Sequence, residues 1–183
     1  MKKEEINYEN SKTQELINSL SDKPKKRILF VCLGNICRSP AAEGVFCEIL
    51  REQCAESRYA VDSAGTGGYH VGELPDERMR IHARRRGLEL THRCRKVEVT
   101  DFDDFDLIIG MDAGNLRKLR NLAPSVEAAR KIHAMAEFFS GGTNYDHVPD
   151  PYYEGAEGFE LVLDLLQDGC MNLFNRLESG KRI

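Results

Sequence analysis

Residues 27–40 read RILFVCLGNICRSP. The next twelve residues, AAEGVFCEILRE at 41–52, have the spacing of apolar residues that is typical of a helix. The apolar, β-branched run that ends at Cys32 predicts a buried strand. A loop with Gly34 and Asn35 follows, and Ser39 stands at the start of the predicted helix. This order of strand, loop and helix start turns backbone N–H groups towards a common centre, where they bind anions and stabilise thiolate. The segment therefore predicts an anion-binding loop that places the thiol of Cys32 near the guanidinium of Arg38.

Length, composition and charge are those of an ordinary globular enzyme. The 183 residues suffice for one domain with a full core, and the hydrophobic fraction of 41% is typical. The net charge of −4 argues against nucleic acid as the main partner. No apolar run reaches the length of a membrane span, and the N-terminal MKKEEINYENSK lacks the apolar core of a signal peptide. We therefore expect a cytoplasmic protein with no membrane partner.

Cysteine usage fits a reducing compartment. The six cysteines form neither a dense framework nor a Cys-x-x-Cys pair for zinc. Cys47 and Cys54 fall on the helix after the loop, and Cys170 falls on the last predicted helix. We expect all three to be small buried apolar side chains.

Strand and helix patterns alternate along the chain. We predict strands at residues 27–32, 58–65, 106–111 and 130–134, and helices at 39–55, 75–87, 112–123 and 157–179. This alternation predicts an α/β fold, a doubly wound, Rossmann-like sandwich around a small parallel sheet of about four strands. Ligands of such folds bind beyond the carboxyl ends of the strands, where Cys32 lies. Residues 1–26 are polar, and we expect a flexible extension before a single domain at 27–183.

The segment VCLGNICRSPAAEG resembles the active site of the low-molecular-weight protein tyrosine phosphatases. The likeness continues through DSAGTGGYHVG, GMDAGN and DPYYEGAEGFE, over residues 27–179. It implies hydrolysis of phosphotyrosine in a protein or peptide, with inorganic phosphate as product and with no cofactor or metal.

The resemblance assigns the catalytic roles to four residues. Cys32 would attack phosphorus as thiolate and form a phosphocysteine, and Arg38 would bind two phosphate oxygens with its planar fork. Ser39 would hydrogen-bond the sulfur, although a plain helix cap is the alternative. Asp150 would be the general acid and then the base, although an Asp-Pro pair by itself is more often a turn.

Further residues are implied as walls and supports of the site. The substrate-binding candidates are Leu33, Gly34, Asn35, Ile36, Cys37, Tyr69, Tyr152 and Tyr153. Ser63 and His92 would support the loop, together with Asn35 and Ser39. For Tyr69 an exposed aromatic residue without a role is the alternative, and for Cys37 the alternatives are a redox partner of Cys32 or simple packing. Asp112 and Asn115 are expected to cap a helix rather than touch substrate.

Three other functions use the same pattern. A thiol-dependent arsenate reductase needs further cysteines that relay a disulfide, and Cys94 has no close partner in the sequence. A protein-arginine phosphatase of this fold characteristically carries Thr at the loop position of Ile36, whose apolar bulk suits an aromatic ring. A non-catalytic phosphotyrosine-binding module is the weakest alternative, because Cys32, Arg38 and Asp150 are all present.

Overall fold

The computed structural model describes residues 25–181 and residue 183, and four strands within them form one parallel sheet. The strands are β1 (Lys26–Cys32), β2 (Tyr59–Gly65), β3 (Leu107–Gly110) and β4 (Ile132–Ala134), in the order β2-β1-β3-β4. Cys32 is in register with Gly65, and Val31 with Gly110. The carboxyl ends of β1, β2 and β3 therefore meet at one edge of the sheet.

Within the described residues, six helices connect and cover the strands. They are α1 (Arg38–Glu52), α2 (Glu77–Arg85), α3 (Asp101–Asp104), α4 (Ala113–Leu122), α5 (Val126–Ala129) and α6 (Ala156–Glu178). Short 3-10 turns lie at Met135–Phe138 and Pro151–Tyr153. The predicted α/β fold is confirmed. The sequence patterns missed α3 and α5, because four residues are too few to display a helical period.

The core lies on both faces of the sheet, as a parallel sheet requires. Along β1, Ile28 and Phe30 pack with α1 and α6, whereas Leu29 and Val31 point to the opposite side. All four side chains are fully buried. Because successive strand residues alternate between faces, a continuous apolar run such as ILFVC at residues 28–32 suits a strand covered on both sides.

Two expectations from the sequence need correction. Strand β1 begins at Lys26, which pairs with Tyr59, so the strand starts one residue before the predicted strand 27–32. The flexible extension stays a prediction, because residues 1–24 lie outside the described residues. Cys170 is buried, but Cys47 and Cys54 are exposed. Cys47 lies on the solvent side of α1, and Cys54 follows the helix end in a left-handed turn with φ of 48°.

Among the helices in the part of the chain that the structure describes, none combines the length and apolar character that a membrane span needs.

Candidate active site

Hydrogen bonds from neighbouring segments to the carbonyl groups of the loop between β1 and α1 hold this loop in place. Each of four carbonyl oxygens accepts a hydrogen bond from another segment of the chain. The donors are Thr66 N to Cys32 O (2.8 Å), Gly67 N to Leu33 O (2.8 Å), Cys94 Sγ to Asn35 O (2.7 Å) and Asp76 N to Ile36 O (2.8 Å). In a planar trans peptide the N–H points opposite to the C=O. The amides that follow these carbonyls therefore point into the loop, which forms an anion-binding nest.

Asn35 locks the shape of this loop. Its φ of 58° is a left-handed conformation, which asparagine adopts more readily than most residues. The side-chain amide donates to Ser39 Oγ at 3.0 Å and to Ser63 Oγ at 2.9 Å. Its Oδ1 accepts from Arg95 N at 2.9 Å and lies 3.1 Å from His92 Nε2. Asn35 is fully buried, so its side chain supports the loop instead of facing substrate.

The thiol of Cys32 lies at the base of the loop. Its Sγ is 3.0 Å from Ser39 Oγ, and the residue is 3% exposed. Ser39 accepts from Asn35, so its single proton is shared between Sγ and Ala64 O, 3.2 Å away. Ser39 also lies in the first turn of α1. A thiolate at Cys32 can therefore accept a hydrogen bond from Ser39 beside the positive end of the helix dipole.

A cluster of ionisable groups lies behind the loop. Ser63 Oγ donates to Glu43 Oε2 at 2.6 Å, and His92 Nδ1 lies 3.3 Å from Glu43 and 3.5 Å from Asp62. Burial raises the pKa of Glu43 to about 7 and lowers the pKa of His92. Ligand atoms of Glu43, Asp62 and His92 lie within 4.8 Å of one another, a spacing that could also hold a cation. The guanidinium of Arg95 already pairs with Asp62 at 2.8 Å. That the protein needs no metal for its reaction stays a prediction.

The guanidinium of Arg38 is held between two carboxylates. Nη1 lies 2.6 Å from Asp112 Oδ2 and donates to Val148 O at 3.2 Å, while Nη2 lies 2.7 Å from Asp150 Oδ2. The Arg38 side chain is only 3% exposed, against 26% for Asp112 and 42% for Asp150. Asp150 is thus the partner of Arg38 that is more accessible from solvent.

Asp112 has a second function that the sequence did not reveal. As predicted, it caps α4, and its Oδ1 accepts from Asn115 N at 2.7 Å. Although burial works in the opposite direction, the hydrogen bonds from Asn115 N and Arg38 hold the pKa of Asp112 below its usual value. The residue is therefore a carboxylate at neutral pH, and it orients Arg38 from the end of β3.

The loop opens into a cleft of about 240 Å³. Ten of its lining residues were candidates from the sequence and form the floor and walls, namely Cys32, Leu33, Gly34, Ile36, Cys37, Arg38, Tyr69, Asp150, Tyr152 and Tyr153. His70 completes the lining. Asn35, Ser39, Ser63 and His92 lie beneath it. Tyr69 and Tyr153 are 73% and 93% exposed, so their rings stand at the rim of the cleft.

His70 is a lining residue that sequence reasoning missed. Its Nδ1 lies 2.8 Å from Glu73 Oε2, which fixes the ring. A methyl group at Gly34 would come within 3.3 Å of the imidazole, so glycine allows this close approach. The signal that could have identified His70 is its position next to Tyr69 in the segment DSAGTGGYHVG.

The cysteines near the cleft are all free thiols. Cys37 lines the cleft and is buried, and burial, reinforced by the nearby Asp76, raises the pKa of its thiol. Cys94, for which the sequence showed no close partner, is buried directly behind the loop and donates to Asn35 O. Both remain protonated at neutral pH, since burial raises the pKa of Cys94 to about 11.

Comparisons with known proteins agree with this geometry. Residues 27–182 match the family described as low molecular weight phosphotyrosine protein phosphatase. A relative from Synechocystis, described as a putative low molecular weight protein-tyrosine-phosphatase, is 42% identical over 86% of this chain and 98% of its own.

Solved structures show the same fold. A crystal structure of protein tyrosine phosphatase from Entamoeba histolytica superposes with a TM-score of 0.82, at 42% identity, over 85% of this chain and 99% of that one. A structure of the Drosophila arginine phosphatase superposes with a TM-score of 0.77, at 30% identity, over 82% of this chain and 97% of that one.

The loop, the buried thiol and the matches over most of the chain define a class of phosphoric monoester hydrolases. The chain belongs to the low molecular weight phosphotyrosine protein phosphatase family.

Proposed function

We propose that this protein hydrolyses phosphotyrosine in proteins or peptides through a phosphocysteine on Cys32, with Asp150 as general acid and inorganic phosphate as product. The observation that carries the proposal is the meeting of three groups in one cleft. Cys32 lies at its base, Arg38 lies beside it, and Asp150 Oδ2 is 2.7 Å from the Arg38 guanidinium. Tyrosine side chains form the walls, as an aromatic substrate requires.

The first step transfers the phosphoryl group to sulfur. The phosphate dianion enters the nest of amides and takes the place of Asp150 on Arg38, whose fork binds two equatorial oxygens. The Cys32 thiolate attacks phosphorus, the bond from phosphorus to the tyrosyl oxygen breaks, and protonated Asp150 gives its proton to that oxygen. The tyrosyl phenol has a pKa of about 10, so this proton transfer is worth about 10²–10⁴ in rate.

The second step releases phosphate. Water attacks the phosphorus of phosphocysteine, Asp150 accepts its proton, and Cys32 leaves as thiolate. Ser39, 3.0 Å from the sulfur, donates a hydrogen bond to the departing charge. The loop returns to its starting state when the bound inorganic phosphate leaves.

A protein-arginine phosphatase is the second candidate, because the Drosophila arginine phosphatase shares the fold. Ile36 favours tyrosine, since it lines the cleft with an apolar side chain that packs against the core. An isoleucine has no hydroxyl to assist attack on a phosphoguanidinium. Ile36→Thr should therefore improve phosphoarginine turnover relative to phosphotyrosine.

The test compares substrates on the full chain. Phosphotyrosine peptide, phosphoarginine peptide and arsenate with a thiol reductant are supplied side by side, with Cys32→Ser as control. We expect phosphotyrosine turnover to dominate and to vanish in Cys32→Ser, which should still bind phosphate. A higher kcat/KM for phosphoarginine would favour the second candidate, and arsenate reduction would favour the reductase. Binding of phosphotyrosine without turnover would indicate a binding module.

Asp150→Asn tests the general acid. The variant keeps size and polarity but cannot transfer a proton, so kcat/KM should fall strongly for phosphotyrosine and little for an aryl phosphate with an acidic phenol. Rapid-mixing measurement of phenol release isolates the first step. An equal loss for both leaving groups would exclude Asp150 as the acid, and Asp146 or Glu154 would be the next candidates.

We further propose that residues 27–183, together with Lys26 of β1, act as one catalytic domain in the cytoplasm and that residues 1–24 add nothing to the chemistry. All the groups of the proposed mechanism lie between Cys32 and Asp150. Removal of residues 1–24 should leave kcat/KM for phosphotyrosine unchanged.

A further inference from the structure

Arg78 joins two opposite parts of the cleft. Asp76 N donates to Ile36 O of the anion-binding loop at 2.8 Å. The Asp76 carboxylate accepts from Arg78 Nε at 3.0 Å and Nη2 at 2.8 Å. The remaining arm of the guanidinium, Nη1, donates to Tyr152 O at 3.0 Å, in the turn that carries Asp150.

The same guanidinium lies over two aromatic rings. Its Cζ is 5.2 Å from the ring centroid of Tyr152 and 5.0 Å from that of Phe159. Phe159 is buried in the first turn of α6, and the Tyr152 ring lines the cleft. Arginine over an aromatic face contributes about 0.5–1 kcal/mol at exposed sites. Arg78 thus fixes both the backbone and the ring of Tyr152.

Tyr152 in turn holds the carboxylate of Asp150. Its N–H donates to Asp150 Oδ1 at 3.2 Å, and Asp150 caps the turn at Pro151–Tyr153. A continuous path therefore runs from the anion-binding loop through Asp76, Arg78 and Tyr152 to the acid. An isolated exposed ion pair would contribute little to stability. Here Arg78 binds Asp76 with a planar fork and stacks on Tyr152 with a flat face, and lysine has neither.

We propose that Arg78 is a positioning residue for the general acid, which sets the placement of Asp150 relative to the phosphate held above Cys32. It acts through Tyr152 and makes no contact with substrate. This inference rests on the proposed role of Asp150 as proton donor. Loss of Arg78 should therefore impair proton donation and leave oxyanion binding intact.

Arg78→Lys and Arg78→Gln test this role. Displacement of an acid by about 1 Å can cost roughly 10²-fold, so we expect kcat/KM for phosphotyrosine to fall about tenfold to hundredfold. An aryl phosphate with a strongly acidic phenol should lose less than about threefold, because its leaving group needs no proton. Competitive inhibition by inorganic phosphate should stay within about twofold, and this also shows that the loop is folded.

Arg84→Gln is the matched control. Arg84 lies on α2 and pairs with Glu89, but both are more than half exposed and neither lines the cleft. This variant should leave kcat/KM for both substrates, and the inhibition by inorganic phosphate, unchanged. In the double variant, adding Arg78→Gln to Asp150→Asn should cost little more, because both changes remove one function.

Each contrary outcome is distinct. Equal losses for the two leaving groups, parallel loss of phosphate inhibition, or additive losses in the double variant would overturn the role of Arg78 while Asp150→Asn keeps its leaving-group dependence. If Asp150→Asn itself shows no such dependence, the proposed acid is wrong and this inference falls with it.

Discussion

The carboxylate of Asp112 lies 2.6 Å from the guanidinium of Arg38, which is 74 residues away in the sequence. This contact links the cap of α4 to Arg38. Asp112 is the less exposed of the two carboxylates on Arg38, at 26% against 42% for Asp150. We therefore predict that Asp112 is a fixed anchor that retains the guanidinium, while Asp150 is the partner that exchanges with phosphate.

Asp112→Asn tests this anchor. Asparagine also caps helices, so α4 should persist, but the charged partner of Arg38 is lost. We expect kcat/KM for phosphotyrosine to fall about tenfold to hundredfold, with a parallel weakening of phosphate inhibition. Asp164→Asn, an exposed partner of Arg86, serves as control. Unchanged phosphate inhibition in Asp112→Asn would contradict the anchor.

Gly65→Ala should damage the anion-binding loop. A methyl group there would lie 2.9 Å from the carbonyl oxygens of Leu33 and Gly67 and 3.1 Å from Asn35 N. Backbone cannot yield to such a contact as a flexible side chain can, so the loop must shift. We expect phosphate inhibition to weaken and the melting temperature to fall. Gly141→Ala, with open space around it, should change neither. Normal phosphate inhibition in Gly65→Ala would show that the loop absorbs the methyl group.

Glu43 should make stability depend on pH. Burial raises its pKa to about 7, above the value of about 4.3 in an unfolded chain. The folded state therefore binds this proton more tightly, and stability is lost as pH rises from about 4 to about 7. Glu43→Gln mimics the protonated form without titrating. Its stability relative to wild type should rise by about 1–3 kcal/mol between pH 5 and pH 8.

Urea unfolding at both pH values measures this difference. Glu48→Gln on the same helix is the control, since Glu48 is paired with Arg51 at the surface. The neighbours of Glu43 are Ser63, His92 and Asp62, with Arg95 bound to Asp62. A stability difference that stays constant with pH would show that Glu43 does not titrate in this range.

Cys37 should protect the nucleophile from oxidation. Peroxide converts the Cys32 thiolate to sulfenic acid. The Cys37 thiol then attacks this sulfur and gives its proton to the departing hydroxyl, so that water leaves and a disulfide forms that thiols reduce. Both residues line the same cleft as free thiols. After brief peroxide exposure, wild type should recover activity in dithiothreitol, and Cys37→Ser should recover much less. Cys47→Ser, at an exposed thiol on α1, is the control. Equal recovery in all three proteins would exclude the protective role.

The sequence by itself determined the sheet and the anion-binding loop. Strand β1, the loop and the start of α1 are contiguous, so their order and the left-handed residue Asn35 are encoded locally. The alternation of the remaining elements determined the parallel sheet, since crossovers of one hand leave few arrangements. The positions of Cys32 and Arg38 at the two ends of the loop could therefore be predicted.

Only the tertiary structure decided which groups surround Arg38 and Asp150. Asp112 follows the end of β3 and contacts Arg38. Arg78 on α2 contacts Tyr152 in the turn after Asp150, 74 residues away in the sequence. The exposure of Cys47 likewise depends on which side of α1 meets the core. Local periodicity predicts an element, but contacts between distant elements depend on strand register and on the paths of the loops, which no short pattern encodes.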